Sequence, residues 1–533
     1  MARATRATRV PLMRTHIILF LALALFPTLV SAHAIPIDST PASSAMLEAM
    51  PREVAITFSE RPDELASFIQ VRGPRGNTVS EETARISPQD PKELIVAVPK
   101  ADEGTYTVSW GVVSADDGHF SKGSFFFHVG SSTIATTTAS ADLQVVQIGA
   151  PPEIFAMTIE LLGNGLLWGL LILSVLLRRT VGELKSSERL WLQKRRSFLV
   201  YIAASFAIVG GISQLLLKSF ELSQLREIST HHAMSLYVQT NAGISGVTRI
   251  LAIVLLVLVY HRARATLFAN TRLTLTELLL FLTLGVFALA RASISHATAN
   301  PFFPTFSVLI NFFHLIEKDT WAGIVLILLL VSLSARALQL LPDLIPKAFK
   351  LLGLLLLGIS VSASYIVWLH LKHFGNLFST SWGTACITLG VFAFLLLISR
   401  TANSLLVVYR KQWLMSRLTL LLGVETIFAL IVLYVSSLVI ITSPPKSLPP
   451  DYRMQWDEGV SISLERAPYE DGMLKLTTSS ALPPSAAVGS LTSSEEGVAV
   501  PLVQRSTYSY VFPDTVIPNE EMYLTITSPT LHG

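Results

Sequence analysis

The run IFAMTIELLGNGLLWGLLILSVLL, from Ile154 to Leu177, decides what kind of chain this is. As a helix rising 1.5 Å per residue it is long enough to cross about 30 Å of hydrocarbon. Seven further apolar stretches follow, near 198–217, 244–260, 274–294, 306–334, 348–369, 382–399 and 418–441, the second of these seven being short unless its flanks join it. Hydrogen bonding within each helix would satisfy the backbone where no water is present. Composition agrees, because 51% of the 533 residues are hydrophobic and only 14% are charged, against about 25% charged in soluble domains. The expectation is an eight-helix membrane bundle over 151–445.

Working outward, the loops joining these stretches test the topology. Connections on one side carry seventeen Lys and Arg residues, while those on the other carry Lys218, Arg226, Arg291, Lys318 and Lys372. This asymmetry puts the first side in the cytoplasm and both chain termini outside. A net charge of +3 is too small for this length to suggest a nucleic-acid partner, and no basic run with interleaved aromatics appears. At the start of the chain, four arginines precede the apolar run Ile17–Leu29 and the small residues of Val30-Ser31-Ala32. That is the pattern of a signal peptide over 1–32, with cleavage leaving His33 first.

Residues 33–130 read as strands. The segments EVAITFSE, ELIVAVP, GTYTVSWGVVS and GSFFFHVG combine β-branched and aromatic runs with Gly, Pro and Asp punctuation, as in a β-sandwich of immunoglobulin-like type. SSTIATTTASAD lies within a linker over 131–150, and residues 446–533 contain strand-like runs that suggest a small β-domain. The fold class is therefore mixed: a β-sandwich, a helical membrane bundle and a second β-domain. Cys386 is the single cysteine, which excludes an internal disulfide and any CxxC motif.

A chemical constellation sits in the sandwich. A free N-terminal His33 offers its α-amine and ring Nδ1 to one ion. Asp117 and His119, two apart in VVSADDGHFSKGSFFFHVG, point to one side if the backbone there is extended. Three nitrogens and a carboxylate oxygen make a tetragonal set suited to Cu(II); the bland alternative is Asp117 capping a turn with His119 in water. HAIPIDSTPASSAMLEAMPREVAITFSE followed by VVSADDGHFSKGSFFF resembles the CopC family of extracytoplasmic copper-binding sandwiches. The resemblance implies His33, Asp117 and His119 as Cu(II) ligands. Where that family has S-A-D-G-H this chain has an additional acid, so Asp116 is the alternative to Asp117. Met46 and Met50 are too few for a thioether cage and read as packing, and His128 reads as structural.

The membrane region resembles CopD, a family found beside or fused to CopC, in YVQTNAGISGVTRI, SISHAT, NFFHLIEKDTWAGIVL, LFSTSWGTACITLG and GVETIFALIVLYVSSLVIITSPP. HLIEKDTWAG departs from the usual uncharged form of its helix. His296 and His314 both fall near the outer face and are the candidate copper path. His370 with His373, and His231 with His232 and Met234, are surface residues or secondary copper contacts.

The resemblance implies a non-enzymatic copper-binding protein of a bacterial cytoplasmic membrane. It captures Cu(II) outside and passes copper inward, with the bilayer and extracytoplasmic copper chaperones as partners. Two other readings stay open: storage or delivery outside with the helices as scaffold, favoured by few polar residues deep in the spans, and a haem-bearing oxidoreductase.

Overall fold

In the computed structural model the described residues are 34–130 apart from 35, 44, 82, 100–101 and 117, residues 146–147, most of 151–444, and strand segments between 452 and 526. The N-terminal part is a sandwich of two sheets. One has the order β1 (Pro36–Thr40), β3 (Glu53–Phe58), β6 (Glu93–Ala97), β5 (Arg85–Ile86); the other has β2 (Met46–Leu47), β8 (Phe120–Val129), β7 (Gly104–Val113), β4 (Phe68–Arg72), with β9 (Val146–Gln147) against β8. Side chains alternate along a strand, so Tyr106, Val108, Trp110 and Val112 all face inward from β7, where they meet Val54, Ile56 and Phe58 of β3. Phe58 and Trp110 pack edge to face, with ring centroids 5.6 Å apart. His128 is structural, as expected: it is buried and its Nδ1 lies 3.0 Å from the Thr105 hydroxyl. Met50 packs against the core, but Met46 is 62% exposed on the edge strand β2, so the packing role expected for it does not hold.

The helices are α1 (Pro151–Leu176), α2 (Ser186–Arg226), α3 (Thr230–Tyr237), α4 (Asn241–Ala263), α5 (Leu275–Ala292), α6 (Pro304–Ser332), α7 (Leu341–His370), α8 (Asn376–Ser379), α9 (Ser381–Tyr409) and α10 (Lys411–Ile441), with a 3₁₀ turn at His296–Ala299. All but α3 and α8 are long, and seven of these eight are apolar enough to cross a membrane. The exception, α6, carries Glu317, Lys318 and Asp319 at mid-length. It nonetheless lies inside the bundle, because Lys318 and Asp319 are buried and Asn164 of α1 donates to Asp319 at 2.5 Å. Helices α1 and α6 touch backbone to backbone; a Cβ on Gly323 would lie 1.7 Å from the Gly165 carbonyl oxygen. Small residues at such crossings give the close packing that holds helices together in lipid.

Two sequence expectations are corrected here. Lys218, Arg291 and Lys318, assigned to outer loops, are buried within helices. Polar residues deep in the spans are also not few. Glu160 of α1 accepts from Gln214, Arg249 and Arg291 at 2.8, 2.5 and 2.6 Å, and Lys218 pairs with Glu153 and Glu221 at 2.9 and 3.1 Å. A window that scores hydropathy counts a charge but not the counter-charge on another helix. The C-terminal region has a five-stranded and a three-stranded antiparallel sheet between Tyr452 and Ile526, as the strand-like runs suggested.

Candidate metal centre

The β7–β8 hairpin ends in the loop Ser114–His119. Its backbone closes on itself, with Gly118 N–H donating to Ser114 O at 2.9 Å and Ser114 N–H to His119 O at 2.9 Å. Gly118 has φ +77°, and a Cβ there would come within 2.5 Å of the Ala242 Cβ. Both the left-handed backbone and the close approach to α4 require glycine. The sandwich therefore sits on one end of the helical bundle. Ala66, Val113 and Phe120 form one apolar cluster with Leu222, Leu225, Ala233 and Tyr237. Around it, Arg226 donates to Leu65 O at 2.9 Å and Thr298 to Asp116 O at 3.3 Å. The ammonium of Lys218 lies 5.0 Å from the centre of the Phe120 ring.

This docking brings His119 to the membrane domain. The rings of His119 and His296 have centroids 6.0 Å apart at 25°, and those of His296 and His370 are 5.8 Å apart at 78°. All three histidines line one cavity of about 160 Å³, together with Glu153, Lys218, Arg249 and Arg291. His119 and His370 are buried, and Trp382 packs on the far side of His370 at 6.0 Å. Glu60, also buried, accepts from Ser114 at 2.7 Å and places its other oxygen 3.6 Å from His296 Nδ1. A cavity of this volume has room for an ion or a small ligand.

Comparison with known proteins accounts for the loop. Residues 37–130 match the CopC domain. Protein YobA of Escherichia coli strain K12 is 40% identical over 101 residues, which cover 18% of this chain and 79% of YobA. The chain belongs to the CopC family. It is also 24% identical over 484 residues to the copper transport protein CutJ of Bacillus subtilis, covering 86% of this chain and 84% of CutJ. A crystal structure of CopC from Methylosinus trichosporium OB3b aligns with 27% identity over 19% of this chain and 99% of that one, with a TM-score of 0.18.

Of the copper ligands that the CopC resemblance implies, His119 is described, while His33 and Asp117 lie outside the described residues. Among the described residues no three His, Cys, Asp or Glu side chains are grouped to hold an ion. Asp116, the alternative acid of the CopC domain, is 2% exposed and bound to Arg61, whose Nε donates at 2.9 Å and whose Nη2 also contacts the carboxylate. That hydrogen bond holds the Arg61 guanidinium above its ordinary pKa. Asp116 thus fixes the loop's base. On the membrane side, His296 stands against His119 of the CopC domain. His314 does not: its Nδ1 lies 2.9 Å from the Ser362 hydroxyl of α7, and it does not line the cavity. Sequence reading ranked His370 too low. Its signal was position, since it ends a span at the same level as His296. Glu60 and Trp382 carried no such signal, because only the docking brings them near.

Proposed function

We propose that this protein is a non-enzymatic copper importer of the cell membrane: the CopC domain captures Cu(II) outside, and the helical region, which resembles CopD, passes copper inward. The observation carrying this reading is that His119 lines a cavity shared with His296 of the bundle, their ring centroids 6.0 Å apart. The likeness to a copper transport protein over most of both chains supports it. In this reading the signal peptide is removed after Ala32, and His33, Asp117 and His119 form the capture site. The α-amine must lose a proton to bind, so capture weakens in acid.

His119→Ala is expected to lower copper accumulation by cells at least tenfold, measured as metal per cell under copper limitation. Unchanged accumulation would leave storage outside the cell as the better reading. One residue added before His33 is expected to weaken Cu(II) binding sharply, since it removes the amine from the site. A Soret band in the purified protein would restore the haem reading.

A further inference from the structure

We infer that His296 and His370 form a second copper station on the bundle side of the domain boundary, which receives the ion directly from His119. The inference rests on the copper reading above and adds to it a receiving site and an order of transfer. An ion held in line between two imidazoles, about 2 Å from each nitrogen, sets the two ring centroids about 6 Å apart, because each centroid lies a further ring radius beyond its nitrogen. The His119–His296 and His296–His370 spacings of 6.0 and 5.8 Å both match that geometry. His296 belongs to both pairs. Copper can therefore exchange one imidazole for the next while staying bound to His296, and it never needs to be released bare between the two positions.

The surroundings fit such a step. His119 and His370 are 4% and 7% exposed, so both rings are largely shielded from bulk water. Glu60, anchored by Ser114, stands beside His296 Nδ1 as a positioning carboxylate that fixes ring orientation. Among the described residues no third His, Cys, Asp or Glu completes the cluster. A two-imidazole site holds copper less firmly than a four-ligand one, which suits a site that must give its ion up. His314, paired with Ser362, takes no part in this exchange.

The test uses the full chain in lipid nanodiscs, titrated with copper(II) chloride and, in a parallel set, with ascorbate present to supply Cu(I). Bound metal is counted after gel filtration. Two ions per chain are expected for the unaltered protein in at least one set. His370→Gln should keep the His119-dependent ion, which shows the protein folded, lose the second ion and cut cellular accumulation at least tenfold. His370→Met supplies a thioether copper(I) ligand of similar reach and should restore the second ion in the ascorbate set. The station is overturned if His370→Gln still binds two ions, if it loses both, or if the Met and Gln variants are equally defective in that set. The copper reading fails separately: in that case His119→Ala and the unaltered chain would bind and accumulate copper alike.

Discussion

The interior of the sandwich and the interior of the bundle are built on opposite principles. Between its sheets the sandwich is apolar, with Trp110, Tyr106, Phe58 and Phe127 almost fully enclosed. The bundle holds charges instead: Glu160 with Arg249 and Arg291, Lys218 with Glu153 and Glu221, and Lys318 beside Asp319. Water explains the contrast. Taking apolar surface out of water drives the sandwich together, whereas lipid is as apolar as leucine and gives helices no such drive. Close packing and polar pairing must specify the bundle, and each charge there depends on its partner.

The largest expected effect comes from breaking a pairing in the bundle. Glu160→Ala leaves two arginines without their counter-charge, and removing one member of a buried ion pair costs about 3–5 kcal/mol. We expect little folded protein to accumulate in membranes, measured by gel filtration with a fluorescent fusion. In the sandwich, Trp110→Ala removes a fully buried ring from an apolar core, which costs about 3–5 kcal/mol through lost burial and the cavity left behind. Hydrogen exchange should rise along β7 and β8 while the bundle stays protected. Equal exchange in both regions would show that they unfold as one unit.

Between these regions, Gly118→Ala strains a backbone at φ +77° and presses on Ala242. A cost of about 1–3 kcal/mol is expected, together with slower copper transfer to the bundle. The smallest effect concerns Asp63, whose carboxyl is pushed up from its ordinary pKa by burial against the backbone N–H donors of Leu65 and Ala66. The folded state keeps that proton to higher pH than the unfolded chain does. Stability is therefore greatest below the ordinary aspartate range and falls as pH rises through the raised value. Asp63→Asn should remove that decline, seen as a smaller change in unfolding midpoint between pH 4 and pH 7.

Much of the architecture was legible in residues 33–445, because strand alternation and span length are local properties. Tyr106, Val108, Trp110 and Val112 announce an inward face by their spacing alone, and the apolar runs announce helices by length. The partners of charged residues are not local. Lys218 looked like a loop residue because nothing near it in sequence shows that Glu153, on another helix, lies 2.9 Å away. His370 was ambiguous for the same reason: a histidine at a helix end is surface or site depending on what docks above it. His314 was judged by depth along its helix, but depth does not say which face it occupies.

The seating of Gly118 against Ala242 also governs kinetics. Donor and acceptor histidines belong to one folded body, so the exchange is intramolecular and the local concentration of acceptor is set by geometry, not by how much protein the membrane holds. Diluting the protein in lipid should leave the rate constant of exchange unchanged. A two-protein relay would slow in proportion.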